Sequence, residues 1–338
     1  MPNPVSLIPQ GVRVLSEPET DRAAWLELRR SGLGGSDALA VTGLSPWRSP
    51  MGVWLEKVGH PDAPQVEETP QMRWGHILEQ PLADWFTEQT GIPAYRCGML
   101  GHPDLPWQLY TPDRLAEDDS LVEFKTTSPW NAEEWGDGKV SDHAELQVQH
   151  GMSVTGKRRA YVVVGIWGQE PQMRIVERDE ALIDDLTKIE AEFWSLVETA
   201  TPPPLGSHPL DSAILDHLHP HGDPNASVEL SADAYAALAE YKKMTRQMRE
   251  IGAAREELRA RVAAELGDAV IGTWQSRPVV SWRNTGPVDE VSLRSALPEV
   301  ADHYTILRPA LDTAALFSAQ GDQVTPFRSR RFLPAHKI

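Results

Sequence analysis

Residues 111–125 read TPDRLAEDDSLVEFK and place charged side chains at both ends of two short apolar runs. The acidic stretch at 118–120 predicts a tight turn, because Asp and Ser favour turn positions. The runs on either side of it are therefore expected to pair as a hairpin. Side chains alternate between the two faces of a strand, so Glu123 and Lys125 are expected on one face and their apolar neighbours on the core-facing side.

The predicted hairpin returns Asp113, at the end of its first arm, to the side of Glu123. Two adjacent carboxylates repel one another unless a positive charge lies between them, and Mg²⁺ binds oxygen ligands of this kind. Lys125 on the same edge can orient or help to deprotonate a metal-bound water for attack on a phosphodiester. A surface hairpin with solvated ion pairs has the same spacing, and the spacing alone leaves both interpretations open.

Length and composition limit the class of protein. The chain of 338 residues is long enough for two ordinary domains, and 41% apolar with 24% charged residues is typical of a globular protein. The single cysteine, Cys97, excludes an internal disulfide. No apolar run reaches the length of a membrane span and the N-terminus lacks a signal-peptide pattern, so we expect a cytoplasmic protein with no membrane association. The net charge of -17 confines any contact with DNA to part of the surface.

The order of predicted elements indicates a mixed α/β domain over residues 1–200. Apolar residues at helical spacing predict four longer helices, at 21–30, 72–91, 141–155 and 181–199. Pro81 is expected to start or kink a segment within the second of them. Apolar extended runs predict strands, at 95–100, 107–112, 121–126 and 159–168.

The C-terminal part of the chain has a different composition. A stretch rich in Pro and His at 201–228 predicts a linker. Residues 229–338 are expected to form an appendage with one long helix, Ala232 to Leu266, and short strands that include 323–338. Apolar residues of the long helix follow a 4-3 rhythm that predicts coiled-coil or helical-hairpin packing. Its basic residues are interleaved with acids, which favours a solvated face. A contact with DNA is favoured more for three tail arginines, Arg328, Arg330 and Arg331.

Four motifs in the same order resemble those of the phage lambda exonuclease and YqaJ-type viral recombinase family of PD-(D/E)xK nucleases. They are LRRSGLGGSDALAVTGLSPW at 28–47, RWGHILEQPLADWF at 73–86, Pro112-Asp113 followed by Glu123-x-Lys125, and HAELQVQHGMSVTG at 143–156. The resemblance implies a restriction-endonuclease-like α/β core, a mixed sheet flanked by helices. The long helix and the small β segments would be a C-terminal appendage to that core.

The resemblance also implies roles for residues of the predicted hairpin and its surroundings. Asp113, Glu123 and the backbone carbonyl of Phe124 would hold Mg²⁺, or Mn²⁺ in its place, and Lys125 would serve the attacking water. Two further residues lie on the flanking helices. Glu79 would bind a second metal ion or a water in its shell, and Gln147 would fix the nucleophile or a ligand. On the residues alone, Gln147 is equally a core glutamine that is satisfied by backbone groups.

The first motif implies a site for a DNA 5′-phosphate. Arg29 and Ser36 have the family's R-x₆-S spacing and would grip the phosphate, with Arg30 as a neighbour that can share the task. A glycine-rich loop at a helix start exposes N–H groups, and arginine offers two parallel donors to a phosphate. An ordinary capped turn with Arg29 paired to an acid is the alternative. The glycines on both sides of Leu33 predict a flexible loop.

The function implied by the resemblance is a metal-dependent DNA exonuclease that acts 5′ to 3′ on double-stranded ends. It would leave 3′ single-stranded tails for recombination by strand annealing, in a bacterial host and from a phage or prophage gene. The implied partners are double-stranded DNA ends, a single-strand annealing protein and further copies of the chain in a ring. Two alternatives stay open: a structure-specific endonuclease or nickase of the same fold, and an inactive DNA-binding recombination adaptor.

Overall fold

The computed structural model describes residues 4–18, 20–61, 63, 69–205, 208–223, 225–283, 287–305, 311, 313, 315–316 and 320. The predicted strand at 323–338 and the three tail arginines lie outside these residues. The chain divides into two compact units after His219, and each unit is described by itself. Over the described residues, no helix combines the length and the apolar character needed to cross a membrane.

The first unit contains the predicted mixed α/β domain. Its described helices are α1 (Arg22–Arg30), α2 (Gly35–Val41), α3 (Pro50–Lys57), α4 (Pro70–Thr90), α5 (Asp142–Thr155), α6 (Glu180–Glu198) and α7 (Asp211–Leu218). Short 3-10 segments cover Pro4–Leu7 and Pro129–Gly138. Its described strands are β1 (Arg13–Val14), β2 (Ala94–Tyr95), β3 (Leu100–Gly101), β4 (Leu109–Tyr110), β5 (Arg114–Ala116), β6 (Leu121–Thr127), β7 (Arg159–Ile166) and β8 (Gln172–Glu177).

Five strands form one mixed sheet in the order β2-β5-β6-β7-β8. The central pair, β6 and β7, is parallel and is connected through α5, while the other neighbours are antiparallel. Helices cover both faces of the central strands, which explains the continuous apolar run of β7. On one face Leu121 packs with Val148 of α5, and on the other Val122 packs with Phe86 of α4. The prediction of a mixed sheet flanked by helices is confirmed.

The predicted break of the helix at Pro81 is wrong, because α4 runs without interruption from Pro70 to Thr90. Thr69 caps its start and accepts a hydrogen bond from the N–H of Met72 at 3.2 Å. Pro81 removes the donor that would otherwise reach the carbonyl of Ile77. Both residues are exposed, so water can satisfy that carbonyl and the helix tolerates the proline.

The predicted linker at 201–228 contains a helix, α7, that belongs to the first unit. Ile214 of α7 is buried in the apolar cluster around Val53 of α3 and Phe193 of α6. The N–H of the His208 ring also donates to the carbonyl of Ser45 at 2.6 Å. The short amphipathic run that forms α7 was not recognised in the sequence because the residues around it are rich in Pro and His. Since α7 packs in the first unit, the boundary between the units lies after this helix.

The second unit begins with the long helix α8 (Ala232–Leu266), at the predicted bounds. It is followed by β9 (Ile271–Trp274) and β10 (Arg277–Ser281), an antiparallel pair, and by α9 (Glu290–Ala296) and α10 (Pro298–His303). No described residue of α8 is buried, so coiled-coil packing of its apolar stripe stays a prediction. Ion pairs one turn apart, such as Arg259 with Glu256 at 3.3 Å, are typical of a solvated face.

Candidate active site

The hairpin predicted at 111–125 is present as β5, a turn and β6. Arg114 pairs with Val122, and the N–H of Ala116 donates to the carbonyl of Ser120 at 3.0 Å. Asp119 in the turn has φ of 68°, a left-handed conformation that Asp tolerates better than most residues. The acidic sequence of the turn therefore supplies the conformation that sends the chain back beside itself.

The Pro-Asp pair explains how the first arm ends. Extending the register by two residues places Pro112 opposite Phe124, and a proline has no N–H to donate to the Phe124 carbonyl. The N–H of Phe124 donates instead to Oδ2 of Asp113 at 2.7 Å. Because the N–H and carbonyl of one strand residue point to the same side, the Phe124 carbonyl faces the edge that carries Asp113.

Four polar side chains meet on the face of β6 that α5 covers, opposite the face on which Val122 and Phe124 pack against α4. Nζ of Lys125 donates to Oε1 of Glu123 at 2.7 Å and to Oε1 of Gln147 at 2.6 Å. Nε2 of Gln147 donates to the same Glu123 oxygen at 2.6 Å, and the hydroxyl of Tyr110 donates to the other at 3.1 Å. The structure thus brings Glu123, Lys125 and Gln147 together, and the side chain of Gln147 bonds to charged groups rather than to the backbone.

The two carboxylates of the hairpin repel one another. Burial and the charge of Glu123 raise the pKa of Asp113 well above its usual value of 3.8, although Lys125 and the Phe124 N–H oppose the shift. Burial and the same Glu123 charge also raise the pKa of Tyr110. A cation bound between Asp113 and Glu123 would offset this repulsion.

Glu79 lies beside this pair and is bound by a neighbouring arginine. Arg114 donates to Glu79, and the same guanidinium donates to Oε1 of Gln80 at 3.1 Å and to the carbonyl of Asp113 at 2.5 Å. Within the described ranges, no group of three or more His, Cys, Asp or Glu side chains is arranged to hold a metal ion. The oxygen atoms that the hairpin itself could offer to a cation are those of two carboxylates, Asp113 and Glu123, and of the Phe124 carbonyl.

The first motif forms a second polar cluster, centred on Asp37. Arg29 donates to Oγ of Ser36 at 3.1 Å and to Oδ1 of Asp37 at 2.7 Å. Arg48 and Lys57 each lie 2.9 Å from an oxygen of the same carboxylate. Burial by itself would raise the pKa of Asp37, but these three cations hold it well below its usual value.

The second cluster carries one more positive than negative charge. Glu56 is its other acid and lies 3.5 Å from Arg29 and 2.6 Å from Arg48. Arg30 instead pairs with Glu27 at 3.0 Å on the exposed side of α1, away from these contacts. Sequence reasoning missed Arg48, Lys57 and the two acids. Their only local signal is the position of Asp37 at the third residue of α2, where an acid caps the helix start.

The glycine-rich loop is packed rather than open. A Cβ on Gly32 would lie 2.3 Å from the carbonyl of Trp107. The N–H of Leu33 donates to that carbonyl at 2.7 Å, and the carbonyl of Leu33 accepts from Leu109 at 2.8 Å. At Gly32 the missing side chain permits a close approach of two backbones, and the flexibility expected of this loop stays a prediction.

Two glycines also connect the clusters through direct packing. A Cβ on Gly35, at the start of α2, would lie 2.9 Å from Cγ of Gln147 and 3.2 Å from the ring of Tyr110. A Cβ on Gly151 of α5 would lie 2.5 Å from the same ring. Tyr110 and Gln147 both bond to Glu123, so the helix that carries Ser36 lies directly against the partners of this buried carboxylate.

Replacing Gly151 with alanine should displace the Tyr110 ring, because the added methyl group has no free space. We expect a loss of unfolding free energy of about 1–3 kcal/mol, measured by urea denaturation. Gly136→Ala is the matched control: φ at Gly136 is -68° and nothing lies within 4 Å of its added Cβ. Equal stability of the two variants would contradict the packing described.

Comparison with known proteins agrees with the four sequence motifs. The family model of the YqaJ-like viral recombinase domain matches residues 24–158. The uncharacterized protein YqaJ of Bacillus subtilis (strain 168) is 32% identical over 293 residues, which cover 83% of this chain and 90% of that protein.

Solved structures with similarity to the chain include an alkaline exonuclease from Laribacter hongkongensis, at 22% identity and a TM-score of 0.47. Its complex with dAMP has a TM-score of 0.48, and both matches cover 53% of this chain and 94% of the exonuclease. A phage-related exonuclease from Haemophilus somnus 129PT is 11% identical, with a TM-score of 0.37 over 52% of this chain and 97% of its own. On the extent of its identity to YqaJ and the match to the domain, the chain belongs to the YqaJ-like viral recombinase family.

Proposed function

We propose that the protein is a metal-dependent DNA exonuclease. The observation that carries the proposal is the meeting of Asp113, Glu123 and Lys125 at the middle of β6, with Gln147 bonded to the last two. Residue types and contacts of this kind suit hydrolysis of a phosphodiester by an activated water. Membership of a viral recombinase family supports DNA as the substrate.

The chemistry of the hairpin fits a hard divalent cation. Asp113, Glu123 and the Phe124 carbonyl would hold Mg²⁺, which leaves the remaining ligand positions to water and a substrate phosphate oxygen. Bound there, the ion would polarise the phosphate and lower the pKa of a water ligand. Glu79, with Arg114 as its partner, would act from the second layer through water.

Lys125 is the residue placed to act on the nucleophile. Its ammonium is partly exposed, whereas Glu123 is buried, so Lys125 can reach both the carboxylate and an incoming water. Gln147 fixes that geometry, because its amide nitrogen donates to Glu123 while its amide oxygen accepts from Lys125. The lysine would orient the water and neutralise charge that develops on the phosphate.

The Asp37 cluster would anchor the 5′-phosphate of the DNA. Residues up to His219 include 17 Lys and Arg against 34 Asp and Glu, and the remainder has 15 of each, so the first unit carries the whole net charge of -17. General attraction of DNA is therefore weak, and a local excess of positive charge has to provide the contact. Arg29 and Arg48 are mostly buried but keep 17% and 21% of their side-chain surface exposed, whereas Lys57 is fully buried.

The finer assignments belong to the same proposal. Hydrolysis would proceed 5′ to 3′ from double-stranded ends and leave 3′ tails for a single-strand annealing protein. The enzyme would work in the bacterial cytoplasm as a homo-oligomer, with Mn²⁺ able to replace Mg²⁺. The appendage at 229–338 would serve DNA contact or assembly.

End-labelled linear duplex DNA tests the proposal directly. With Mg²⁺, we expect loss of the 5′ label before the 3′ label, faster degradation of 5′-phosphorylated ends, and no cleavage of covalently closed circles. Cleavage of closed circles would favour a structure-specific endonuclease or nickase. DNA binding without cleavage in Mg²⁺ or Mn²⁺ would favour an inactive adaptor.

Arg29→Gln tests the phosphate anchor. The variant removes a cation next to Ser36 while Arg48 and Lys57 still neutralise Asp37, so the fold should persist. We expect initiation on 5′-phosphorylated ends to slow by about 10- to 100-fold, with little change on ends that lack the phosphate. Arg30→Gln is the control. If Arg29→Gln lowered activity by the same factor on phosphorylated and unphosphorylated ends, Arg29 would not be a phosphate anchor.

A further inference from the structure

Two exposed tryptophans form a pair that the nuclease chemistry does not use. The rings of Trp74 and Trp167 lie 5.7 Å apart and meet edge to face at 75°. Trp74 is 49% exposed and Trp167 is 64% exposed. An edge-to-face contact fixes both rings, and these exposures show that the pair still presents flat apolar surface to solvent.

The pair lies at the end of the strand that carries Lys125. Trp167 follows β7, and its N–H donates to the carbonyl of Thr127, the last residue of β6, at 3.1 Å. Trp74 precedes Gly75, whose added Cβ would lie 3.8 Å from Oγ1 of Thr126. The platform is therefore at the end of β6, about 7 Å beyond Lys125 along the strand and on the face that α4 covers, whereas Lys125 contacts Gln147 of α5 on the opposite face. The distance along the strand is the length of about two stacked nucleotides.

The same helix leads from the pair to the active site. Trp74 and Glu79 are five residues apart on α4, a rise of about 7.5 Å. Glu79 is bound to Arg114, the neighbour of Asp113. To reach the indole rings, a strand that occupies the site at Asp113 would pass around the end of β6, from the face beneath α5 to the face beneath α4.

We propose that Trp74 and Trp167 form a stacking platform for an unpaired nucleobase next to the scissile phosphate. This inference rests on the proposed nuclease function and adds to it a site for single-stranded DNA. Indole rings bind bases of any sequence through stacking. By holding one base out of the duplex, the platform would favour the frayed state of a DNA end, in which the phosphate can reach Asp113 and Glu123.

The test uses 2-aminopurine, a fluorescent adenine analogue that is quenched when it stacks. The protein carries Lys125→Ala so that the DNA stays intact, and the probe occupies each of the first five positions on either strand of a forked duplex end, with Mg²⁺ present. We expect quenching at one or two adjacent positions. Trp167→Ala in this background should abolish that quenching and weaken binding of a short single-stranded oligonucleotide by at least about fivefold.

Two further variants separate stacking from folding. Trp167→Phe keeps an aromatic ring and should retain most of the quenching, whereas Trp167→Leu keeps apolar volume without a ring and should lose it. Trp130→Ala is the matched control, because Trp130 is 90% exposed and lies outside the pair. Equal quenching by the Leu and Phe variants would overturn the platform even if the alanine variant failed to fold.

Fluorescence anisotropy of the intact duplex keeps this proposal separate from the proposed function. If the protein binds DNA and the native chain cleaves it, but no probe position responds to Trp167→Leu, the platform is overturned and the nuclease stands. If the protein neither binds nor cleaves DNA, the nuclease proposal fails, and the platform fails with it.

Discussion

Replacing Lys125 with alanine is expected to lower the rate of Mg²⁺-supported cleavage of linear duplex by about 10³-fold, while duplex affinity stays nearly unchanged. The ammonium of Lys125 is held by Glu123 and Gln147 at hydrogen-bond distance. Its loss removes the group that we propose orients the water, but it leaves the cations of the Asp37 cluster in place. Single-turnover cleavage and anisotropy on the same DNA measure the two effects separately.

Lys139→Ala is the control for the loss of one lysine. Lys139 is exposed on the surface after the 3-10 segment that follows β6, so its removal should leave the cleavage rate unchanged. A Lys125 variant that cleaves at the native rate would exclude a catalytic role for this side chain. A variant that loses binding and cleavage equally would assign Lys125 to DNA affinity instead.

Asp113→Asn is expected to abolish cleavage, by about 10³-fold or more, and to remove the response of the protein to metal. Because Asn keeps an oxygen for the Phe124 N–H, the hairpin should persist. Without metal, the variant should melt at the same or a higher temperature than the native protein, because the repulsion between Asp113 and Glu123 is gone. Mg²⁺ should raise the melting temperature of the native protein but not that of the Asp113→Asn variant.

Asp104→Asn is the control for Asp113→Asn, because it makes the same change of an acid to an amide at an exposed position. This control should melt like the native protein with and without Mg²⁺ and should cleave at the native rate. If Mg²⁺ stabilised the native protein and the Asp113 variant equally, the hairpin carboxylates could not be the binding site for the ion.

The part of the active site that the sequence predicts best is local in the chain. Asp113, Glu123 and Lys125 lie within one hairpin, and strand alternation together with a turn is enough to bring them together. The long helix α8 is equally local, because a long run of helix-forming residues without proline sets its bounds, although Arg255 interrupts its apolar rhythm. Gln147 stayed ambiguous in the sequence because its contacts cross from α5 to β6.

The rest depends on contacts between distant segments. Lys57 reaches Asp37 across the interval from α2 to α3, and no periodic pattern encodes such an ion pair. Arg114 binds Glu79 across 35 positions of sequence, and no local pattern in the sequence indicates this contact. The helix α4 continues through Pro81 because Ile77 and Pro81 are both exposed to solvent, and this exposure could not be predicted from the sequence.

The most direct test of the account is a crystal of the protein soaked in Mn²⁺ and measured for anomalous scattering. We predict one strong peak at the hairpin, about 2 Å from oxygens of Asp113, Glu123 and the Phe124 carbonyl, and its loss in crystals of Asp113→Asn. A native protein that cleaves DNA with Mn²⁺ but shows the ion elsewhere, with none between these two carboxylates, would contradict the central claim.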